Sequence, residues 1–168
     1  GACTVLLGQF EGDRLRYRAV PSCLLPVGEL QGKHAVTIEG LTGDQLTPVQ
    51  QAMVDEGATQ CGFCTPGFIM SITGFLLASP TLSLDDARAA IEGNICRCTG
   101  YVSIVRAVER LLDRTGESLP RGEDHVPTDR ARELVKTGVL PAFFLEAPEH
   151  LRRGASPRPG PKDGDILV

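Results

Sequence analysis

Six cysteines, at positions 3, 23, 61, 64, 96 and 98, carry most of the chemistry this sequence could perform. Four of them fall in two close pairs, Cys61-Gly62-Phe63-Cys64 and Cys96-Arg97-Cys98. In a secreted chain an even number of cysteines suggests disulfides. Thiols one or two residues apart suit a shared metal centre better than bridges to distant partners. Four thiolates can hold a zinc ion or an iron–sulfur cluster. Structural zinc sites usually leave at least two residues between the members of a pair, and Cys96-Arg97-Cys98 leaves one. The spacing therefore favours a two-iron cluster, with Cys96 and Cys98 on one iron and Cys61 and Cys64 on the other. Zinc is the alternative. A thioredoxin-like pair fits poorly, because Cys61 and Cys64 lack a βαβ setting. Ligand thiolates call for a reducing compartment, and no signal peptide is visible, so a cytoplasmic location is expected.

The remaining polar residues offer less. His34, His125 and His150 are too dispersed for a triad or a metal site. Asp85-Asp86 suits a helix N-terminus rather than an acid–base pair. Met53 and Met70 read as core, and Arg97 as a solvated or charge-balancing cation. With 168 residues, 42% apolar, 23% charged and a net charge of −4, the composition is that of a globular protein. No apolar run approaches the ~18 residues of a membrane span. Scattered lysines and arginines argue against nucleic acid, which needs gathered positive charge.

The elements that must position the cysteines are an N-terminal set of strands and a set of helices. Cys3–Leu7, Leu15–Val20 and Ala35–Ile38 read as strands, with Gly8–Asp13 as the first turn. Four amphipathic helices are expected between residue 47 and about 113. Thr47-Pro48-Val49-Gln50 is a capping box that opens the first, and Thr65-Pro66 opens the second. Ser83 with Asp86 opens the third, and the fourth places Tyr101, Ile104, Val105, Val108 and Leu111 on one face. Both close cysteine pairs then lie in interhelix loops, where Gly62, Gly67, Gly93 and Gly100 permit tight backbone paths. Seven of the twelve prolines fall after residue 113, which predicts a linker. It holds one short helix between Val126 and Val139, an apolar patch at Pro141–Leu145, and a strand-like end at Asp165–Val168. The fold class is α+β, divided at residues 1–43, 44–113 and 114–168.

Three stretches carry a family resemblance: Leu46–Met53, Gln60-Cys61-Gly62-Phe63-Cys64-Thr65-Pro66-Gly67, and Gly93-Asn94-Ile95-Cys96-Arg97-Cys98-Thr99-Gly100-Tyr101. Over roughly residues 44 to 110 the chain resembles the helical [2Fe-2S]-binding domain of the molybdenum hydroxylases. That family includes xanthine dehydrogenase, aldehyde oxidoreductases and carbon monoxide dehydrogenase of the molybdenum type. The resemblance implies that Cys61, Cys64, Cys96 and Cys98 hold the cluster nearest a molybdopterin. It implies that Gln60 hydrogen-bonds the pterin and that Cys98 lies at the cluster–pterin contact. Residues 1–43 resemble the C-terminal part of a plant-type (β-grasp) ferredoxin domain. Gly1-Ala2-Cys3 matches the tail of its cysteine run, and Pro21–Pro26 the site of its fourth ligand, Cys23. Two further ligands would precede residue 1, so a second [2Fe-2S] cluster needs those upstream residues.

Ala142–Leu145 and Asp165–Val168 look like the entry to a flavin domain fused downstream. This favours the iron–sulfur/flavin small subunit of a bacterial xanthine dehydrogenase over small subunits of aldehyde, nicotinate or carbon monoxide-type enzymes. The implied role is to pass electrons from a molybdopterin centre towards FAD and NAD. The implied partner is a molybdopterin-binding large subunit in a hetero-oligomer, with no substrate catalysis in this chain alone. A rival of another class is a structural four-cysteine zinc module that binds a partner without redox chemistry.

Overall fold

The alternation in Leu15-Arg16-Tyr17-Arg18 becomes a strand whose leucine and tyrosine are buried and whose arginines face out. The computed structural model describes residues 1–115, 118–122 and 127–154. β1 (Thr4–Glu11) and β2 (Arg14–Pro21) form an antiparallel hairpin, and β3 (His34–Val36) pairs antiparallel with β1, giving the order β2-β1-β3. β1 runs beyond Leu7, where the sequence suggested a turn, and only Gly12-Asp13 separates the two strands. Gly8 is a packing choice rather than a turn signal, because a Cβ there would lie 2.6 Å from the Tyr17 ring. Glu11 also holds this end together, pairing with Arg16 at 3.2 Å and Arg18 at 2.8 Å. Ile38, expected in the third strand, instead opens α1 (Ile38–Leu41).

The expected helix starts are present. α2 (Pro48–Asp55) begins with the capping box: Gln50 N donates to Thr47 Oγ1 at 3.3 Å, and Thr47 N donates to Gln50 Oε1 at 2.8 Å. Thr47→Ala is expected to cost about 1 kcal/mol, read as a lower urea midpoint at unchanged slope. α3 (Thr65–Ala78), α4 (Leu84–Ile91) and α5 (Val102–Thr115) follow. In α4 the Asp86 N–H donates to Ser83 Oγ at 3.1 Å, and Asp85 and Asp86 occupy the first turn. α5 buries Ile104, Ala107, Val108 and Leu111, while Arg110 on its outer side meets Glu56 at 2.7 Å.

α3 departs from the amphipathic reading. Every residue from Gly67 to Leu77 is buried, because this helix is the central element, packed against β1, β2, α2 and α4. Met53 and Met70 are both core, as read from the sequence.

The segment expected as a linker with one short helix between Val126 and Val139 has a helix there, α6 (Pro127–Lys136), and a second that was not expected, α7 (Phe143–Gly154). Arg130 is buried and donates to Leu76 O and Ser79 O, each at 2.9 Å, and to Pro120 O. It thereby satisfies carbonyls that the end of α3 leaves without helical partners. Of the apolar patch at Pro141–Leu145 only Phe144 turns inward, while Phe143 and Leu145 remain exposed. Phe144 is buried with its ring centroid 5.2 Å from Tyr17, whose hydroxyl meets His34 Nδ1 at 2.6 Å. Burial pushes the Tyr17 phenol up and holds the His34 imidazole below its ordinary value. His125 and the expected strand Asp165–Val168 lie outside the described residues. Among the described residues no helix is long and apolar enough to cross a membrane.

Candidate metal centre

The four close-paired cysteines come from the two loops that flank α3 and α4. Cys61 and Cys64 follow α2, and Cys64 is the residue that caps the N-terminus of α3. Cys96 and Cys98 lie between α4 and α5. Gly62 sits at φ +84°, a left-handed conformation that folds the first loop back so that Thr65 N can donate to Gly62 O at 3.2 Å. All four cysteines line one cleft of about 120 Å³, together with Gln60 and Arg97. Exposed Phe63 and Ile95 stand at its edge.

The sulfurs pair across the loops rather than within them. Cys98 Sγ lies 3.6 Å from Cys61 Sγ, and the Cys64 and Cys96 side chains shift each other's ionisation. Cys96 is buried and held inward: its N–H donates to the Tyr101 hydroxyl at 2.9 Å. Its sulfur accepts Thr99 N–H at 3.4 Å and meets Thr99 Oγ1 at 3.1 Å. Cys98 is exposed at the mouth, on the Cys61 side. Among the described residues, no group of three or more Cys, His, Asp or Glu is arranged to hold a single metal ion.

Each cross-loop couple contains one thiol that ionises easily and one that resists. The Thr99 hydroxyl, then its N–H, lowers Cys96 to about 7, whereas burial followed by the Cys96 side chain pushes Cys64 up to about 11. The Phe63 N–H, then the Cys98 thiol, holds Cys61 below its ordinary value. The hydrogen bond to Cys61 in turn raises Cys98. Backbone and hydroxyl donors aimed at sulfur are what a negatively charged thiolate-ligated group needs.

Thr99 and Tyr101 were not among the candidate residues. The only signal for Thr99 was a hydroxyl three positions after Cys96. Tyr101, read as part of the apolar face of α5, precedes that helix at φ +69°, which aims its phenol at the Cys96 N–H. Gln60 is exposed on the rim of the cleft. Cys3 and Cys23 form a separate couple, with sulfurs 3.2 Å apart where β1 begins and β2 ends. The histidines stay apart: His34 bonds Tyr17, and His150 faces Glu146 at 3.8 Å.

Residues 37–109 match the family described as the [2Fe-2S] binding domain. The crystal structure of quinoline 2-oxidoreductase from Pseudomonas putida 86 superposes with a TM-score of 0.56 and 31% identity, covering 69% of this chain and 68% of that one. The chain belongs to the molybdenum hydroxylase iron–sulfur family. The nicotine 6-hydroxylase small subunit of Paenarthrobacter nicotinovorans is 43% identical over 117 residues. That alignment spans 70% of this chain and 64% of the subunit. Aldehyde oxidase 1 of Macaca fascicularis is 39% identical over 120 residues, 69% of this chain but 9% of that protein's length. The [2Fe-2S] binding match opens at residue 37 rather than 44, so it includes α1. Gln60, Thr99, Tyr101 and both cysteine pairs lie inside it; Cys3 and Cys23 lie outside.

Proposed function

We propose that this chain is the electron-transfer iron–sulfur portion of a molybdenum hydroxylase, with a [2Fe-2S] cluster held by Cys61, Cys64, Cys96 and Cys98. The observation that carries this is the cross-loop pairing of four thiols in one cleft, inside a matched [2Fe-2S] binding domain. Two close couples suit two irons, each taking one sulfur from each loop, better than one zinc ion on which all four converge. Such a cluster, when bound, supplies a one-electron carrier. The chain's own residues set its environment. Phe63 N–H, Thr99 N–H and the Thr99 hydroxyl favour negative charge on sulfur, while Tyr101 fixes the backbone at Cys96.

The proposal extends to the neighbouring segments. Residues 1–43 form part of a plant-type ferredoxin unit in which Cys3 and Cys23 are two of four ligands. Residues 44–113 form the helical cluster unit, and 114–168 lead to a flavin-binding domain. A molybdopterin-binding subunit or domain donates electrons, and FAD followed by NAD receives them, in a hetero-oligomer of the cytoplasm. The xanthine dehydrogenase reading rests on the proposed flavin fusion; aldehyde, nicotinate and carbon monoxide-type enzymes are its alternatives.

Gln60 gives the test. Its exposed amide at the rim of the cleft is the group proposed to hydrogen-bond the pterin. In the complete enzyme, Gln60→Ala is expected to leave the iron content unchanged, because the residue is not a ligand. Rapid-mixing absorption is expected to show slower reduction of the iron–sulfur chromophore by substrate, since the hydrogen bond proposed between the Gln60 amide and the pterin, worth ~0.5–1.5 kcal/mol, is lost. Wild-type reduction rates with normal pterin occupancy would remove Gln60 from the site. An enzyme whose iron–sulfur chromophore never accepts electrons from substrate would overturn the function itself.

A further inference from the structure

Between Cys96 and α5 the chain runs Arg97-Cys98-Thr99-Gly100-Tyr101, and there it turns back on itself. Gly100 at φ +68° and Tyr101 at φ +69° are consecutive left-handed residues. Glycine takes that conformation freely, but a tyrosine does so at a cost that local contacts must offset. Two contacts do so. The Tyr101 N–H donates to Thr99 Oγ1 at 3.3 Å, and the Tyr101 hydroxyl oxygen accepts the Cys96 N–H at 2.9 Å.

The first contact decides where Thr99 sends its own proton. A threonine oxygen that accepts the N–H two residues on makes an ordinary local turn, and it spends a lone pair in doing so. The hydroxyl proton is left to be donated elsewhere. Cys96 Sγ lies 3.1 Å from Thr99 Oγ1, and a sulfur that ligates metal as a thiolate can only accept. The Thr99 N–H reaches the same sulfur at 3.4 Å. Cys96 is buried, so water competes little for that sulfur and the donors count for more. A relay thus runs from the Tyr101 N–H through the Thr99 hydroxyl to Cys96 Sγ.

We propose that Thr99 is a positioning residue whose hydroxyl, fixed as a donor to Cys96 Sγ, raises the reduction potential of the group held by Cys61, Cys64, Cys96 and Cys98. This rests on the reading of those cysteines as [2Fe-2S] ligands. Reduction adds one electron, and so one unit of negative charge, with no bond formed or broken. A donor aimed at sulfur interacts more strongly with the more negative form, so it favours the reduced state. Burial acts in the opposite direction, because it disfavours added charge. The hydroxyl offsets part of that cost at the most buried of the four cysteines.

The test is an anaerobic redox titration of the complete enzyme with dithionite, following the paramagnetic signal that is lost in Cys96→Ser. Thr99→Val keeps the shape and the backbone N–H, and it is expected to retain its iron but lower the midpoint. At a fixed potential its reduced-to-oxidised ratio is expected to fall about tenfold, a shift of ~59 mV for one electron. Thr99→Ser, which keeps the hydroxyl, is expected to restore the wild-type midpoint. After exchange into deuterium oxide, wild type and Thr99→Ser are expected to show a deuteron coupled to that signal which Thr99→Val lacks. An unchanged midpoint in Thr99→Val would overturn the proposal and leave the ligand assignment standing. Equal shifts in Thr99→Val and Thr99→Ser would do the same, by assigning the effect to packing. Loss of iron in Thr99→Val would also overturn it, by making the hydroxyl a requirement for assembly. A wild-type enzyme with no iron signal that Cys96→Ser removes would overturn the ligand reading itself, and the proposal with it.

Discussion

Exchanging Cys96 for serine is expected to strip the helical unit of most of its iron and of the visible absorption that goes with it. Cys96 is the member of the set whose surroundings are most completely arranged. It is buried, its N–H is taken by Tyr101, and its sulfur receives both donors of Thr99, which lower the thiol to about 7. A serine hydroxyl would put a harder and far less easily ionised oxygen where these donors expect a thiolate. Cys98→Ser, at the exposed mouth of the cleft, is expected to lose less iron under the same conditions. Cys3→Ser is expected to leave this iron in place, because Cys3 pairs only with Cys23 among the described cysteines. Iron per chain after anaerobic purification checks all three. Full iron retention in Cys96→Ser would remove it from the ligand set.

Phe68→Ala is expected to be the most damaging core change, at about 3–5 kcal/mol. Phe68 is fully buried on α3, one turn past Cys64, and its N–H donates to Cys64 O at 3.2 Å. Its ring meets Tyr101 edge-on, with centroids 6.3 Å apart. Removing the ring leaves a cavity beneath the residue that holds the Cys96 backbone, so stability and iron retention are expected to fall together. Urea unfolding of the iron-loaded protein gives the first number, and iron release on dilution gives the second. A loss under ~1 kcal/mol would mean that the core collapses around the gap.

The parts of this molecule that were legible in the sequence are those fixed by local bonds. Thr47 with Gln50, and Ser83 with Asp86, write the starts of α2 and α4 within four residues, and both caps form. The spacing of the two cysteine pairs suggested that they meet, and all four line one cleft. How their sulfurs pair was not legible, because it depends on two loops meeting in space and on Thr99 holding Cys96 inward. Tyr101 followed the apolar period of α5, yet its left-handed backbone puts its hydroxyl to use at Cys96. Gly8 resembled a turn residue only because its neighbour across the sheet, Tyr17, could not be known. The prolines after residue 113 suggested a linker with one short helix, which matches α6, but α7 was not legible, because it carries Pro148 inside it.

The central claim is that Cys61, Cys64, Cys96 and Cys98 hold a two-iron cluster, and metal analysis joined to a visible spectrum tests it most directly. On anaerobically purified protein the account predicts two irons and two acid-labile sulfides at this site, with visible absorption that bleaches on chemical reduction. One zinc ion per chain, with neither iron nor colour, would contradict it.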